Sequence, residues 1–227
     1  MRVGQLVLWD MRFQLKHGFY FIYAVTTVLY LFVLSAIPGS WREKGAAIMI
    51  FSDPAAMGLF FMGAIVLLEK NQRVLNALTI SPVKVQEYIV SKVISLCVLS
   101  LLVGIVIAIA AGIENILSVL LGTAFASIIF TLFGLIVAVQ IKSLNQFMIA
   151  VIPIEIVCFI PSLFYLFDSG PEFMTLYPIN ICMGMIMGQT DGIILKFIVM
   201  VVFVFILLWI THWRVSKMWK SMGGVKL

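Results

Sequence analysis

The sequence predicts an all-α integral membrane protein with six transmembrane helices, an N-terminal interfacial helix and short outer half-helices between spans five and six. Three observations lead there. The chain has 227 residues, is 63% hydrophobic and only 11% charged, and has a mean hydropathy of +1.16; so few charges cannot clothe a water-soluble surface. Its apolar runs are long enough to cross a bilayer as helices. Its basic residues are also sorted. Arg2, Arg12, Lys16, Lys70, Arg73, Lys84, Lys92, Lys142, Arg214, Lys217, Lys220 and Lys226 are twelve of fifteen, and a six-span threading puts all of them on one side. Arg42, Lys44 and Lys196 remain on or near the other side. Under the positive-inside tendency the crowded side is the cytoplasm and holds both termini. Seven spans would lose this agreement. The net charge of +5 follows from the same sorting and implies no nucleic-acid partner.

Taken in order, residues 1–18 place Val3, Leu6, Val7, Trp9 and Phe13 at helical spacing among charges. This suggests a helix lying in the interface with Trp9 as anchor; a turn packed on the loop is the alternative. The charges are too spread, and the next apolar run too long, for a cleaved signal. Span one is 19–37, closed by Pro38-Gly39, and Arg42, Glu43 and Lys44 form a small outer loop. Span two is 48–68. Asp53-Pro54 falls inside it, so either a helix begins at Pro54 with Asp53 as its cap, or 46–52 is a separate half-helix; the cap is the simpler reading. Span three, 93–111, carries Gly104, Ala108 and Gly112 four apart, and span four, 116–139, carries Gly122 and Ala126, both patterns that permit close helix packing. Span five, 147–167, contains Pro153, Glu155 and Pro161, and prolines kink or break a membrane helix. Segment 168–191 is punctuated by Pro171, Pro178, Gly184 and Gly188 and is too short to cross twice, which suits two half-helices in the outer leaflet. Span six is 193–211, followed by a basic, aromatic end. The whole chain, 1–227, reads as one transmembrane domain.

Segment 69–92 organises the rest. Leu75, Leu78 and Ile80 make part of it amphipathic, and Lys70, Arg73, Lys84 and Lys92 outnumber Glu69 and Glu87. Ser81-Pro82 interrupts the pattern, since Pro disfavours α geometry before it and can open a new helix. The expectation is a short surface helix, a break, and a helix that begins at Pro82 and runs into the membrane.

The chemistry is sparse. There is no G-x-x-x-x-G-K-[ST] loop, no H-E-x-x-H and no G-x-S-x-G, so neither nucleotide binding nor a hydrolytic centre is indicated. The two histidines, His17 and His212, lie at opposite ends of the chain. Cys97, Cys158 and Cys182 read as small buried hydrophobes, not metal ligands or disulfides. The deeply placed charge is Glu155. It lies a few residues inside the cytoplasmic end, braces the kink at Pro153, or meets a cationic substrate or proton.

Several stretches carry a family resemblance: Leu68-Glu69-Lys70, Val74-Leu75-Asn76-Ala77-Leu78, Thr79-Ile80-Ser81-Pro82 and Glu87-Tyr88-Ile89-Val90-Ser91-Lys92. With them the chain resembles the ABC-2 type permeases of ABC transporters over nearly its whole length. Phe51-Ser52-Asp53-Pro54 and the run from Gly58 to Gly63 look closer still to fluoroquinolone-export-type subunits. The resemblance implies a permease subunit of a multi-pass bacterial plasma-membrane exporter for drug-like or amphipathic compounds, with no catalysis of its own. ATP and Mg would sit on a separate cytoplasmic ATPase dimer, and a second permease chain, identical or homologous, would complete the pathway. Glu69, Arg73, Leu75, Leu78, Ser81, Pro82 and Lys84 become the coupling residues. Met57, Phe60, Phe61, Ala64, Ile152, Glu155, Ile156 and Phe159 become candidates to line the pathway. Export of a lipid, glycan precursor or small peptide, a non-transporting scaffold, and an ion-coupled carrier using Glu155 are the alternatives. The lack of a second convincing intramembrane ionisable residue weighs against the carrier.

Overall fold

The computed structural model describes residues 2–167 and 171–222. It is all-helical, and six of its helices are long and apolar enough to cross a membrane. In chain order the elements are α1 (Arg2–Lys16), α2 (Phe19–Ala36), α3 (Gly39–Ile50), a π-helical turn (Phe51–Ala55), α4 (Met57–Asn71), α5 (Val74–Ile80), α6 (Val85–Ala111), α7 (Ile116–Ala138), α8 (Leu144–Leu166), a 3-10 turn (Glu172–Leu176), α9 (Pro178–Ile186) and α10 (Ile193–Met222). The spans are α2, the continuous rod Gly39–Asn71, α6, α7, α8 and α10.

The second span differs most from expectation. It starts at Gly39, so Arg42, Glu43 and Lys44 ride on a helix and do not form a loop. Nor does a helix begin at Pro54: the chain passes through Pro54 as a π turn, and Asp53 caps nothing. A proline inside a helix lacks an N–H and crowds the carbonyl one turn back. Widening the turn accommodates both, and the hydroxyl of Ser100 on α6 donates to the Pro54 carbonyl. The prolines of α8, Pro153 and Pro161, likewise lie inside one continuous helix.

α7 is the hub, packed against α4, α6, α8, α9 and α10. Small residues set how close its neighbours come. A Cβ at Gly134 would lie 2.5 Å from the Leu59 carbonyl oxygen, and one at Gly122 would lie 2.8 Å from that of Cys182 on α9. Gly104 faces Thr123 across the α6–α7 contact, but Gly112 does not belong to that stripe. It ends α6 in the left-handed region, φ 81°, which glycine adopts without a Cβ clash. The starts of α7 and α8 are capped conventionally: Asn115 accepts from the Ser118 N–H at 3.2 Å and Ser143 from the Gln146 N–H at 3.4 Å.

Between spans five and six, Asp168, Ser169 and Gly170 lie outside the described residues, as does Lys226. The 3-10 turn follows, then α9, which is buried along its length from Ile179 to Ile186. α1 turns Gln14 inward, where its amide donates to Ser95 at 2.9 Å, and leaves Leu8, Trp9 and Leu15 exposed. α10 carries the basic, aromatic end as a continuation of its own helix.

Candidate functional site

One end of the bundle collects α1, the end of α4, α5, the start of α6, the α7–α8 turn and the end of α10. Arg73, left-handed at φ 56°, turns the chain out of α4 into α5. Ser81 is extended and donates back to the Leu78 carbonyl at 2.7 Å, closing α5. α6 begins at Val85, three residues after Pro82, because the Glu87 carboxylate accepts the Lys84 N–H at 2.8 Å. Pro82 therefore lies in the break, its carbonyl accepting from Arg2 at 3.3 Å, and does not open the helix. Glu87→Ala should shorten α6 by its first turn and cost about 1 kcal/mol, a typical cap value. Slower amide exchange at 84–88 in the native protein than in the variant is the measurement.

At the same end of the bundle is a buried charge cluster. Lys92 of α6 donates to Asp10 of α1 at 2.6 Å and to Glu69 of α4, and Tyr88 donates to the other Glu69 oxygen at 2.7 Å. Lys92 and Glu69 are 2% and 5% exposed, so this cation and its two carboxylates join three helices out of water's reach. Lys70 makes a second tie: its ammonium donates to the carbonyls of Ala138, Val139 and Ile141 at 2.8–3.3 Å, where α7 ends. Lys70→Met should strand those carbonyls and cost about 1.5–3 kcal/mol, as for a hydrogen bond to a charged group. A lower unfolding temperature of the purified protein is the readout.

These contacts sort the expected coupling residues. Glu69 and Leu75 are buried and brace α5 from within, and Leu78 is half-buried. Arg73, Pro82 and Lys84 are exposed and Ser81 is partly so. Val74 and Ile80 project outward, Ile80 at 85% exposure.

The membrane-facing candidates sort as well. Phe61 is turned onto α2, with ring centroids 4.4 Å from Phe19 and 5.5 Å from Tyr23, so it does not face a groove. Gly63 lies against Phe147 of α8. On a helix of about 3.6 residues per turn, Met57, Phe60 and Ala64 fall on the strip between those two faces, and all three are partly buried. On α8, Ile152 and Ile156 are exposed, with Glu155 partly buried beside them. Phe159 is held by Phe51 at 5.2 Å and Phe130 at 5.9 Å. Glu155 sits at the middle of α8, eleven residues from either end, and not near a helix terminus.

The model of the fluoroquinolones export permease protein family matches residues 1–221. The chain belongs to that family. Two fluoroquinolones export permease proteins of Mycobacterium tuberculosis, from strains CDC 1551 / Oshkosh and ATCC 25618 / H37Rv, are each 28% identical over 159 residues. The match spans 69% of this permease and 67% of each relative. The family's subunits are permeases of the ABC-2 type, in keeping with a chain whose described residues include six helices long and apolar enough to cross a membrane.

Two features of the permease escaped the sequence reading. Lys92 and Glu69 were visible as charges, but their pairing needs α4 and α6 side by side. The Asp53-Pro54 pair reads as a cap and a helix start, yet Asp53 is 6% exposed and caps nothing inside the second span. The signal that could have found it is its distance from both ends of one unbroken apolar rod.

Proposed function

We propose that this permease is the membrane-spanning half of an ATP-driven exporter for amphipathic, drug-like compounds. It works with a second permease chain and a separate ATPase dimer that holds ATP and Mg. The observation that carries the reading is α5: a seven-residue helix with Leu75 locked inward and Ile80 presented outward. A surface so short and apolar suits a partner protein. A push on α5 passes through Glu69 and Lys92 to α4 and α6 without first compressing soft packing. Exposed Arg73 and Lys84 would frame the contact. The groove edged by Met57, Phe60, Ala64, Ile152, Glu155 and Ile156 would face the second permease and form the pathway. The name carried by the relatives makes a fluoroquinolone the first compound to test; a lipid, glycan precursor or small peptide is the second reading.

Both termini and α5 would be cytoplasmic, with α1 in the interface anchored by Trp9. The 3-10 turn and α9 would be half-helices in the outer leaflet, and the chain a single permease domain. The placement of the basic residues supports this orientation. Single cysteines at 44, 76, 142 and 220 in a cysteine-free background should report it: an impermeant thiol reagent in sealed cells should label only 44. Labelling at 76 or 220 without 44 would reverse it.

Ile80→Glu should abolish co-purification of the ATPase while leaving the permease folded. Cysteines at 76, 79 and 84 should cross-link to a nucleotide-binding protein in native membranes. An intact complex from which no such protein is captured would end the exporter reading.

A further inference from the structure

The π turn puts Asp53 inside the bundle, 6% exposed, with Oδ2 lacking any hydrogen-bond partner. The hydroxyl of Tyr30 on α2 faces its carboxyl group, and Thr26, whose own hydroxyl donates to the Ile22 and Tyr23 carbonyls, lies beside it. Ser52, next in the turn, is exposed and faces Tyr30. Among the described residues no basic side chain pairs with Asp53; the buried ion pairs are those of Lys92. The register of α8 adds a second carboxylate. Phe51 meets Phe159 and Gly63 meets Phe147, so α4 and α8 run antiparallel and Glu155 lies within about one turn of the level of Asp53.

A carboxylate in an apolar interior is costly unless a cation or proton accompanies it. Here one oxygen is left over, the Tyr30 hydroxyl stands on the other side, and exposed Ser52 beside it borders a small cavity of about 20 Å³ with Phe51 and Phe159. π turns also concentrate at functional sites. We propose that Asp53, with Thr26, Tyr30 and Ser52, forms an intramembrane subsite for a monovalent cation, and that the cation is the charged group of a lipophilic organic compound reaching it past Ser52. The proposal deepens the exporter reading and rests on it for the compound's origin. Glu155 contributes negative potential at the same depth. Thr26 and Tyr30 position the carboxylate.

The wild-type protein supplies the first test, so folding of a variant is not at issue. In the purified permease–ATPase complex, dicyclohexylcarbodiimide labels carboxyl groups in apolar surroundings, and peptide mass mapping reports the yield at Asp53. Tetraphenylphosphonium should lower that yield by about tenfold, the effect of one charge-assisted contact, whereas its neutral counterpart triphenylphosphine oxide should not. Protection by sodium or potassium alone would assign the subsite to an inorganic ion. No protection by any cation, or equal protection by the oxide, would overturn it. The second test is ATP-driven uptake into inverted vesicles. Asp53→Asn should lose tetraphenylphosphonium uptake by about tenfold relative to a neutral dye, and Asp53→Glu should retain most of it. Equal loss of both compounds in a folded Asp53→Asn complex would make the residue structural. If the wild-type complex moves neither compound, the exporter reading fails while the labelling result stands by itself.

Discussion

Lys92→Met should destabilise the permease by about 3–5 kcal/mol, the cost of breaking a buried ion pair from one side. The variant fills nearly the same volume, so the loss reports charge and not packing. Glu69 and the partly buried Asp10 would be left without a cation, and α1 would lose one of its ties to α6, keeping that of Gln14 to Ser95. Expected results are a lower unfolding temperature in detergent and faster proteolysis between α1 and α2. The triple variant Lys92→Met, Glu69→Gln, Asp10→Asn should recover much of the stability, because no charge then stays unpaired. It should not recover ATPase stimulation by substrate, since the rigid link from α5 to α4 and α6 is gone. A triple variant with full stimulation would show that the cluster holds the fold and transmits nothing.

Gly134→Leu should have an effect of similar size by another route. An added Cβ would stand 2.5 Å from the Leu59 carbonyl oxygen and 3.0 Å from its Cα, and these are backbone atoms that cannot swing aside. Overpacking typically costs about 1–3 kcal/mol, and here a whole side chain must enter one of the tightest backbone contacts of the hub helix. α4 would be driven off α7, moving the α4 side of the groove. Gly134→Ala should give a smaller loss in the same direction, read as yield of monodisperse protein and as unfolding temperature. A Gly134→Leu protein as stable as the parent would show that the two helices do not meet as closely as described. Gly112→Ala, in open space but at a positive φ, should cost only about 1 kcal/mol.

Length and composition made the six spans legible, and the short helix followed by a break in 69–92 could be read from Leu75, Leu78 and Ser81-Pro82. The start of α6 could not, because the deciding contact is the Glu87 carboxylate on the Lys84 N–H. Phe61 illustrates a second limit. In a helix apolar on every side, no periodicity tells which residue meets α2 and which meets the groove. Asp53 illustrates a third. Asp-Pro ordinarily marks a helix start, and that local preference was overridden by a tertiary partner, the Ser100 hydroxyl on the Pro54 carbonyl. Glu155 was legible as an intramembrane charge, but its depth depended on where α8 begins, at Leu144.

The long helices have a consequence for the lipid environment. α6 has 27 residues, or about 40 Å at ~1.5 Å each, and the hydrocarbon layer is about 30 Å. The surplus of about 10 Å lies at the end that begins Val85-Gln86-Glu87, since the other end is apolar up to Ala111. α10, with 30 residues, overshoots at the same end through its basic, aromatic tail. The headgroup layer takes up about 5–7 Å of that surplus, so the start of α6 stands only a few Å above it, within the Debye length of about 8 Å at physiological ionic strength. Headgroup charge is therefore felt at that height. Assembly at Ile80, flanked by the exposed Arg73 and Lys84, should accordingly change with the proportion of anionic lipid and lose that dependence in high salt.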